Sequence, residues 1–259
     1  MTAPKPGTVP TDTEQPLTVA AAIAAELRRR GTPERAAKEK AYLKSSLDHC
    51  GVSVPKTRAI VTAQLRSVEV GRRVGVGHDF AVAVAEALWD NPIHELRSSA
   101  VMVLTRAKDH LGGEDAPLIE RFLRESRTWA LVDPLAGDLV GPLTEVTADF
   151  DPVLERWAVD EDFWLRRSAL LAHLRPLRAG HGDFDRFSRF ADVMLQEREF
   201  FIRKAIGWVL RDTAKKRPDL VFEWLLPRAY RASGVTIREA VKPLSPEQQA
   251  AIRAASRAD

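Results

Sequence analysis

One carboxylate and two tryptophans stand at positions from which they could act together on a positively charged group. Trp129 precedes Asp133 by four residues, so on a helix their side chains would share one face, with Cβ atoms about 5–6 Å apart. Trp208 follows Gly207, and a glycine beside so large a ring indicates that something approaches this position closely. A carboxylate held against aromatic faces stabilises a developing positive charge, such as that of an oxocarbenium ion. These residues are therefore candidates for electrostatic catalysis.

Asp133 also has a purely structural interpretation. An aspartate followed by a proline, here Pro134, is typical of a helix start, with the aspartate as N-cap and the proline at the first helical position. Proline also disfavours helical backbone at the residue before it, which counts against a helical pairing of Trp129 with Asp133. Both interpretations stay open, because a capping aspartate keeps one carboxylate oxygen free.

Arginines recur at one position relative to an alanine that opens an apolar run: Arg167, Arg203 and Arg238 each precede it by two residues. Residues 203–217 also hold six basic side chains and one acidic side chain. Rows of arginine at helix starts suit phosphate groups, through bidentate contacts and the positive helix end. Alternatively, these arginines neutralise aspartates of the preceding turn and form a ladder of ion pairs along the repeats.

The elements that carry these residues follow a repeat of about 35 residues. Its alanines are separated by 41, 36, 33, 36 and 35 residues: Ala59, Ala100, Ala136, Ala169, Ala205 and Ala240. This spacing indicates stacked helical pairs, in which no repeat buries its apolar face alone. No stretch shows the sustained alternation of a half-buried strand. We therefore predict a disordered tail over residues 1–16, then one all-α, right-handed superhelical solenoid over residues 17–259, with second helices lining a concave wall.

The remaining tryptophans are predicted to belong to the core. Trp89, Trp157 and Trp224 lie in apolar-periodic helices among leucine and alanine. Trp164 lies at a helix start and is predicted to pack in the core or against that start. Trp129 and Trp208 are therefore the two tryptophans that remain as candidates for the functional site.

Composition excludes several classes of protein. The 259 residues carry a net charge of +3, with 45% hydrophobic and 29% charged side chains, which describes a globular protein with an ample core. Cys50 is the only cysteine and the six histidines lack ligand spacing, so we expect neither disulfides nor a metal site. Glycine-loop and nucleophile-elbow motifs are missing, so we expect no cofactor. No run is long and apolar enough to span a membrane and no secretory signal is present, so we expect a cytoplasmic protein.

Four blocks of this sequence resemble the AlkD-like DNA alkylation repair family, whose members are DNA glycosylases built from HEAT-like repeats. The blocks are AYLK (41–44) with GVSVP (51–55), WALVD (129–133), FWLRRSA (163–169) and FFIRKAIGWVLR (200–211). The resemblance implies excision of cationic alkylated purines, of the 3-methyladenine or 7-methylguanine type, from duplex DNA. It implies that the base is not pulled into a pocket, which would let bulky N3 or N7 adducts be accepted as well.

The resemblance also implies a set of site residues. The aspartate beside the deoxyribose of the lesion would be Asp133, and the two tryptophans around it would be Trp129 and Trp208. The DNA-binding residues expected from the resemblance and from the arginine row are Arg167, Arg211, Arg175, Arg203, Tyr42 and Arg58. Arg167 matches the family's phosphate-contacting arginine. We expect a monomer that binds double-stranded DNA in the nucleoid, without metal or cofactor.

Two other classes of function stay open. One is a helical-repeat protein that binds distorted or branched DNA without catalysis, and the other is a protein-interaction scaffold, a common use of helical repeats. The carboxylate with its two tryptophans favours catalysis over binding alone, because binding has no need of Asp133. The row of arginines favours DNA over a protein partner.

Overall fold

Regular structure in this protein is helical throughout the described residues. The computed structural model describes residues 14–72 and 76–257. In these ranges the only strand-like pairing is one isolated bridge between Asp48 and Ile93. The predicted all-α fold is therefore confirmed. Within the same ranges, no helix combines the length and the apolar character needed to cross a membrane.

The chain divides into two compact units between Leu111 and Gly112. The single domain expected over residues 17–259 stays a prediction. Of the expected disordered tail, residues 1–13 lie outside the described residues, whereas the first helix already begins at Glu14. The first helix thus includes the last three residues of the predicted tail, and the tail itself stays a prediction. Pro16 does not prevent this earlier start, because the first turn of a helix leaves its N–H groups without helical partners.

Among its described residues, the first unit contains five α-helices and a closing 3₁₀ turn. They are α1 (Glu14–Arg30), α2 (Pro33–Leu43), α3 (Val54–Arg72), α4 (His78–Trp89), α5 (His94–Arg106) and the turn Lys108–His110. Val19, Ile23 and Leu27 recur every four residues and form the buried stripe of α1. Helix α4 packs against both α1 and α5. Helix α2 contributes no buried residue.

A buried carboxylate fixes the turn that leads into α3. The side chain of Glu95 accepts the backbone N–H groups of Cys50 at 2.9 Å, Gly51 at 2.6 Å and Val52 at 3.1 Å. Next to it the rings of His49 and His94 stack, with centroids 4.8 Å apart. These polar groups tie α5 to the segment between α2 and α3.

Two buried histidines should make the protein sensitive to mild acid. Burial lowers the pKa of His94 and of His173 to about 4 in each case, from an ordinary value of 6.5. As the pH falls, these histidines are therefore protonated in the unfolded chain before they are protonated in the folded protein. The contribution of each histidine to stability is complete above pH 6.5 and is lost as the pH falls to 4. The loss amounts to about 3 kcal/mol per histidine. We expect the free energy of unfolding, measured by urea titration, to fall steadily between pH 7 and pH 4.

Replacement of one of these histidines tests the assignment. His173→Leu should reduce the slope of unfolding free energy against pH, whereas His110→Asn, at an exposed ring, should leave it unchanged. An unaltered slope in His173→Leu would show that the acid sensitivity arises elsewhere.

The second unit continues with short helices. In chain order they are a 3₁₀ turn (Gly113–Asp115), α6 (Ala116–Ser126), α7 (Trp129–Pro134), a π-helical segment (Leu135–Val140), α8 (Gly141–Val146), a 3₁₀ turn (Ala148–Phe150), α9 (Asp151–Trp157), α10 (Phe163–Leu171), α11 (Leu174–Ala179), α12 (Phe184–Met194), α13 (Phe200–Ala214), α14 (Pro218–Leu225), a 3₁₀ turn (Leu226–Arg228), α15 (Gly234–Ala240) and α16 (Pro246–Ala255). Helix α13 packs against α10, α11 and α15. It therefore lies at the centre of the contacts that position the candidate residues.

The alanine of the predicted repeat is buried in five of the six repeats. The buried members are Ala100, Ala136, Ala169, Ala205 and Ala240. Ala59 is exposed, so the register is wrong in the first copy. Helix α3 there turns Ile60 and Leu65 inward instead. The 41-residue interval that separates Ala59 from the next alanine had already set this copy apart.

Four tryptophans are buried as predicted. Trp89, Trp157, Trp164 and Trp224 all lie in the core. Two of them also donate their indole N–H to a residue one repeat earlier: Trp157 to Glu120 at 2.9 Å and Trp224 to Ser188 at 2.6 Å. Hydrogen bonding satisfies the one polar atom that a buried indole carries.

Ion pairs join successive repeats of the second unit. Five examples, with partners 34–36 residues apart, are Arg167 with Asp133, Arg178 with Asp212, Arg186 with Asp151, Lys204 with Glu239 and Arg228 with Asp192. Their spacing equals the repeat length, so equivalent positions of neighbouring repeats face each other. Of the three arginines in the predicted row, Arg167 is the one found in these pairs, so the ladder interpretation is confirmed for Arg167.

Candidate active site

Asp133 lies inside a helix and does not cap one. Helix α6 is followed by Arg127, whose φ of 47° turns the chain. Thr128 then serves as N-cap, its Oγ1 accepting the N–H of Ala130 at 3.4 Å, and α7 begins at Trp129. The N-cap interpretation of Asp133 is therefore wrong, because a threonine one turn earlier takes that position. Trp129 and Asp133 share a helix face, as their spacing predicts.

The helix continues past Pro134 by changing its hydrogen-bond pattern. Proline has no N–H, so the carbonyl of Ala130 loses its usual helical partner. The N–H of Leu135 then contacts the carbonyls of both Leu131 and Val132, and residues 135–140 form the π segment. Such single π turns occur often at functional sites. Here the π turn follows directly after the candidate carboxylate.

Asp133 forms a bidentate ion pair with Arg167 of α10. The Nε of Arg167 donates to Oδ1 at 2.8 Å and its Nη2 donates to Oδ2 at 2.8 Å. The Arg167 side chain is 3% exposed and that of Asp133 is 14% exposed. The remaining guanidinium nitrogen donates to the carbonyl of Phe201, and the guanidinium lies 5.8 Å from the centre of the Phe201 ring. Arg167 thus holds Asp133 from the next repeat and is itself held by α13.

The carboxylate keeps acceptor capacity despite this pair. Burial raises the pKa of Asp133, and the hydrogen bonds and charge of Arg167 act in the opposite direction. A carboxylate offers about four acceptor positions, and the hydrogen bonds from Arg167 occupy two of them. The remaining lone pairs of the partly exposed group can accept a water or face a cation.

Trp129 and Trp208 differ from the other tryptophans in being half-buried. Trp208 lies on α13, and its Nε1 donates to Asp212 at 3.1 Å. A Cβ added to the neighbouring Gly207 would lie 2.8 Å from the Cβ of Glu239 on α15. The close approach that the glycine predicts is thus made by the protein's own helix.

Besides Arg167, two further predicted DNA-binding arginines bind protein groups. Exposed Arg175 donates twice to Asp138, at 2.9 and 2.6 Å. Half-buried Arg203 donates from Nε to the backbone carbonyl of Glu197 at 2.6 Å. Arg203 therefore does not share the role of Arg167, although both precede a register alanine by two residues.

Arg211 belongs to a cluster around Glu239. The carboxylate of Glu239 accepts from Lys204 at 2.7 Å, from Lys242 at 3.0 Å and from Arg211. The hydrogen bond from Lys204 is the main reason why the pKa of Glu239 falls to about 2. The predicted contacts Tyr42 and Arg58 are exposed in the first unit.

Sequence reasoning missed the acidic partners of these cations. Asp138, Asp212 and Glu239 did not figure among the candidate residues, although Asp212 is buried against a cluster of cations. A signal was present, because Asp138 precedes Arg175 by 37 residues and Asp212 follows Arg178 by 34. A search for opposite charges one repeat apart would have found both.

The model of the DNA alkylation repair enzyme family matches residues 23–244. The chain belongs to this family. Two solved structures are similar to this family member. A predicted DNA alkylation repair enzyme from Enterococcus faecalis is 24% identical, with a TM-score of 0.73 over 83% of this chain and 97% of that chain. AlkD2 from Streptococcus mutans is 16% identical, with a TM-score of 0.57 over 75% of this chain and 91% of that chain.

At these identities the two structures support the fold of this DNA alkylation repair family member and not its substrate. Comparison with curated proteins gave no match. The family match confirms the resemblance inferred from the four sequence blocks, all of which lie within residues 23–244.

Proposed function

We propose that this DNA alkylation repair family member is a monofunctional DNA glycosylase, acting on cationic alkylated purines in duplex DNA. The supporting observation is a partly exposed carboxylate, Asp133, which shares a helix face with the half-buried Trp129. N3- and N7-alkylated purines already carry a positive charge, so their glycosidic bond breaks without an acid to protonate the base.

Asp133 would stabilise the cationic sugar that forms as the bond breaks. A negative charge in a partly desolvated site interacts with such a cation far more strongly than it would in water. Each tryptophan face would add about 0.5–2 kcal/mol of cation–π stabilisation. The free lone pairs of Asp133 would also orient the attacking water. The alkylated purine leaves as a neutral base, and water then bonds to the cationic sugar carbon and releases a proton to solvent, which leaves an abasic site.

Arg167 would act mainly on Asp133. Its buried guanidinium fixes both carboxylate oxygens and therefore sets the direction of the remaining lone pairs. The more exposed cations are better placed for backbone phosphates, and we assign that role to Arg175, Arg203 and Arg211, together with Arg58 and Tyr42 of the first unit. Salt would weaken such contacts because DNA binding releases condensed counterions.

The same ion pair favours a second candidate function. Because Arg167 neutralises Asp133 within the fold, the carboxylate has a structural use that does not require catalysis. A non-catalytic protein that binds alkylated or distorted duplex would also retain this pair.

Release of bases from methylated duplex separates the two functions. Duplex treated with dimethyl sulfate carries 7-methylguanine and 3-methyladenine, and we expect the protein to free these bases while leaving unmodified duplex intact. Duplex affinity should fall steeply with salt in either case. Binding without base release would support the non-catalytic function, and salt-independent affinity would argue against DNA as the partner.

A further inference from the structure

Asp212 is a buried carboxylate held by cations from two elements. It lies on α13 with a side chain 2% exposed. Its Oδ2 accepts from Arg178 Nε at 2.8 Å, and its Oδ1 accepts from Lys215 Nζ at 2.7 Å. Arg178 belongs to α11, one repeat earlier in the chain. Burial raises the pKa of Asp212, but the hydrogen bonds from Lys215 and Arg178 outweigh it and leave the pKa lowered.

The same carboxylate accepts the indole N–H of Trp208. The distance from Nε1 to Oδ2 is 3.1 Å, between residues one helical turn apart. Arg178, which lies on another helix, fixes the position of the Asp212 carboxylate. The carboxylate therefore determines the orientation of the indole. A half-buried tryptophan without such a bond keeps more rotamer freedom, which costs entropy whenever the ring has to be held in one orientation.

We infer that Asp212 is the positioning residue for Trp208. This inference rests on the proposed glycosylase function, in which one face of Trp208 meets the cationic sugar. Hydrogen bonding of the N–H fixes the plane of the ring, and electrostatic catalysis depends on such placement to within about 0.5 Å. A full negative charge on the N–H side also raises the electron density of the ring, which strengthens its attraction to a cation.

Another aspartate that forms ion pairs between repeats provides the control. Asp192 on α12 accepts from Arg228 at 2.8 Å and from Arg231 at 2.8 Å. Like Asp212, it is an aspartate whose pKa is lowered by basic side chains. It makes no contact with Trp208 in the described residues, so its loss should affect the ladder and not the indole.

The contact itself can be measured without activity. In the indole region of a ¹H–¹⁵N spectrum, the resonance missing from Trp208→Phe identifies Trp208. We expect Asp212→Asn to move this resonance upfield, because the N–H loses a charged acceptor, and Asp192→Asn to leave it in place. Arg178→Gln, which removes the anchor but keeps Asp212, should broaden or shift it as well. A Trp208 resonance unchanged in Asp212→Asn and Arg178→Gln would overturn the inference.

Kinetics then test the consequence for the reaction. Asp212→Asn should lower the single-turnover rate of 7-methylguanine release about tenfold, the effect of one hydrogen bond to a charged group, and Asp192→Asn should leave the rate unchanged. In a Trp208→Phe background, Asp212→Asn should cause no further loss. Equal losses in both backgrounds would overturn positioning through Trp208. Wild-type protein that releases no base would instead overturn the proposed function, while the indole spectrum would still decide whether Asp212 fixes the ring.

Discussion

Asp133→Asn is expected to lower the single-turnover rate of 7-methylguanine release from methylated duplex by about 100- to 1,000-fold. Asparagine keeps the size of the side chain and one acceptor for Arg167, but it removes the negative charge that faces the developing cation. Loss of one preorganised electrostatic group in an active site has effects of this magnitude. The rate should be measured with enzyme in excess, so that DNA binding and product release do not limit it.

Asp138→Asn provides the control for this experiment. Asp138 lies on the same continuous helix and pairs with Arg175, but both partners are well exposed. We expect its rate of base release to stay within about threefold of wild type, because exposed ion pairs contribute about 1 kcal/mol or less. Equal rates for wild type and Asp133→Asn would remove Asp133 from the mechanism and favour the non-catalytic function.

Arg167→Ala is expected to lower the free energy of unfolding by about 3–5 kcal/mol, because it leaves the mostly buried Asp133 carboxylate, which is 14% exposed, without its partner. It also removes the hydrogen bond to the Phe201 carbonyl. Urea titration followed by circular dichroism at pH 7 measures this loss. Arg175→Ala, which breaks an exposed pair of the same ladder, should cost no more than about 1 kcal/mol.

The pH dependence of the Arg167→Ala deficit identifies its cause. Without Arg167, burial and the nearby charge of Asp138 act unopposed on the Asp133 carboxyl, so its folded pKa rises further above the unfolded value. Such a group stabilises the fold below its unfolded pKa and loses that contribution as the pH rises through the folded pKa. The difference from wild type should therefore shrink toward pH 4. A second substitution, Asp133→Asn, should recover part of the stability at pH 7, and its failure to do so would point to lost packing against Phe201.

The position of Asp133 shows where local sequence signals fail. The Asp-Pro pair is typical of a helix start, yet Thr128 lies one turn earlier and the preceding Arg127 adopts the left-handed conformation that sends the chain into α7 there. The helix then passes Pro134 through a π turn. The choice between two possible caps depends on how α6 ends and packs, which a local pattern does not contain.

Periodicity by itself determined the helical repeat, the burial of five register alanines and the distinction between four core tryptophans and the half-buried pair Trp129 and Trp208. These properties follow from which residues can share one helix face, and that is a matter of spacing along the chain. Only the tertiary structure decided that Arg167 holds Asp133 and that Asp212 holds Trp208 in an anchored network. The pairing of Arg167 with Asp133 and the anchoring of Asp212 by Arg178 depend on the approach of helices from neighbouring repeats. The contact between Trp208 and Asp212 lies within α13 and depends on the rotamers that this packing allows. Charged side chains near a helix start can face solvent, DNA or each other. The packing of the helices determines which of these partners each side chain meets.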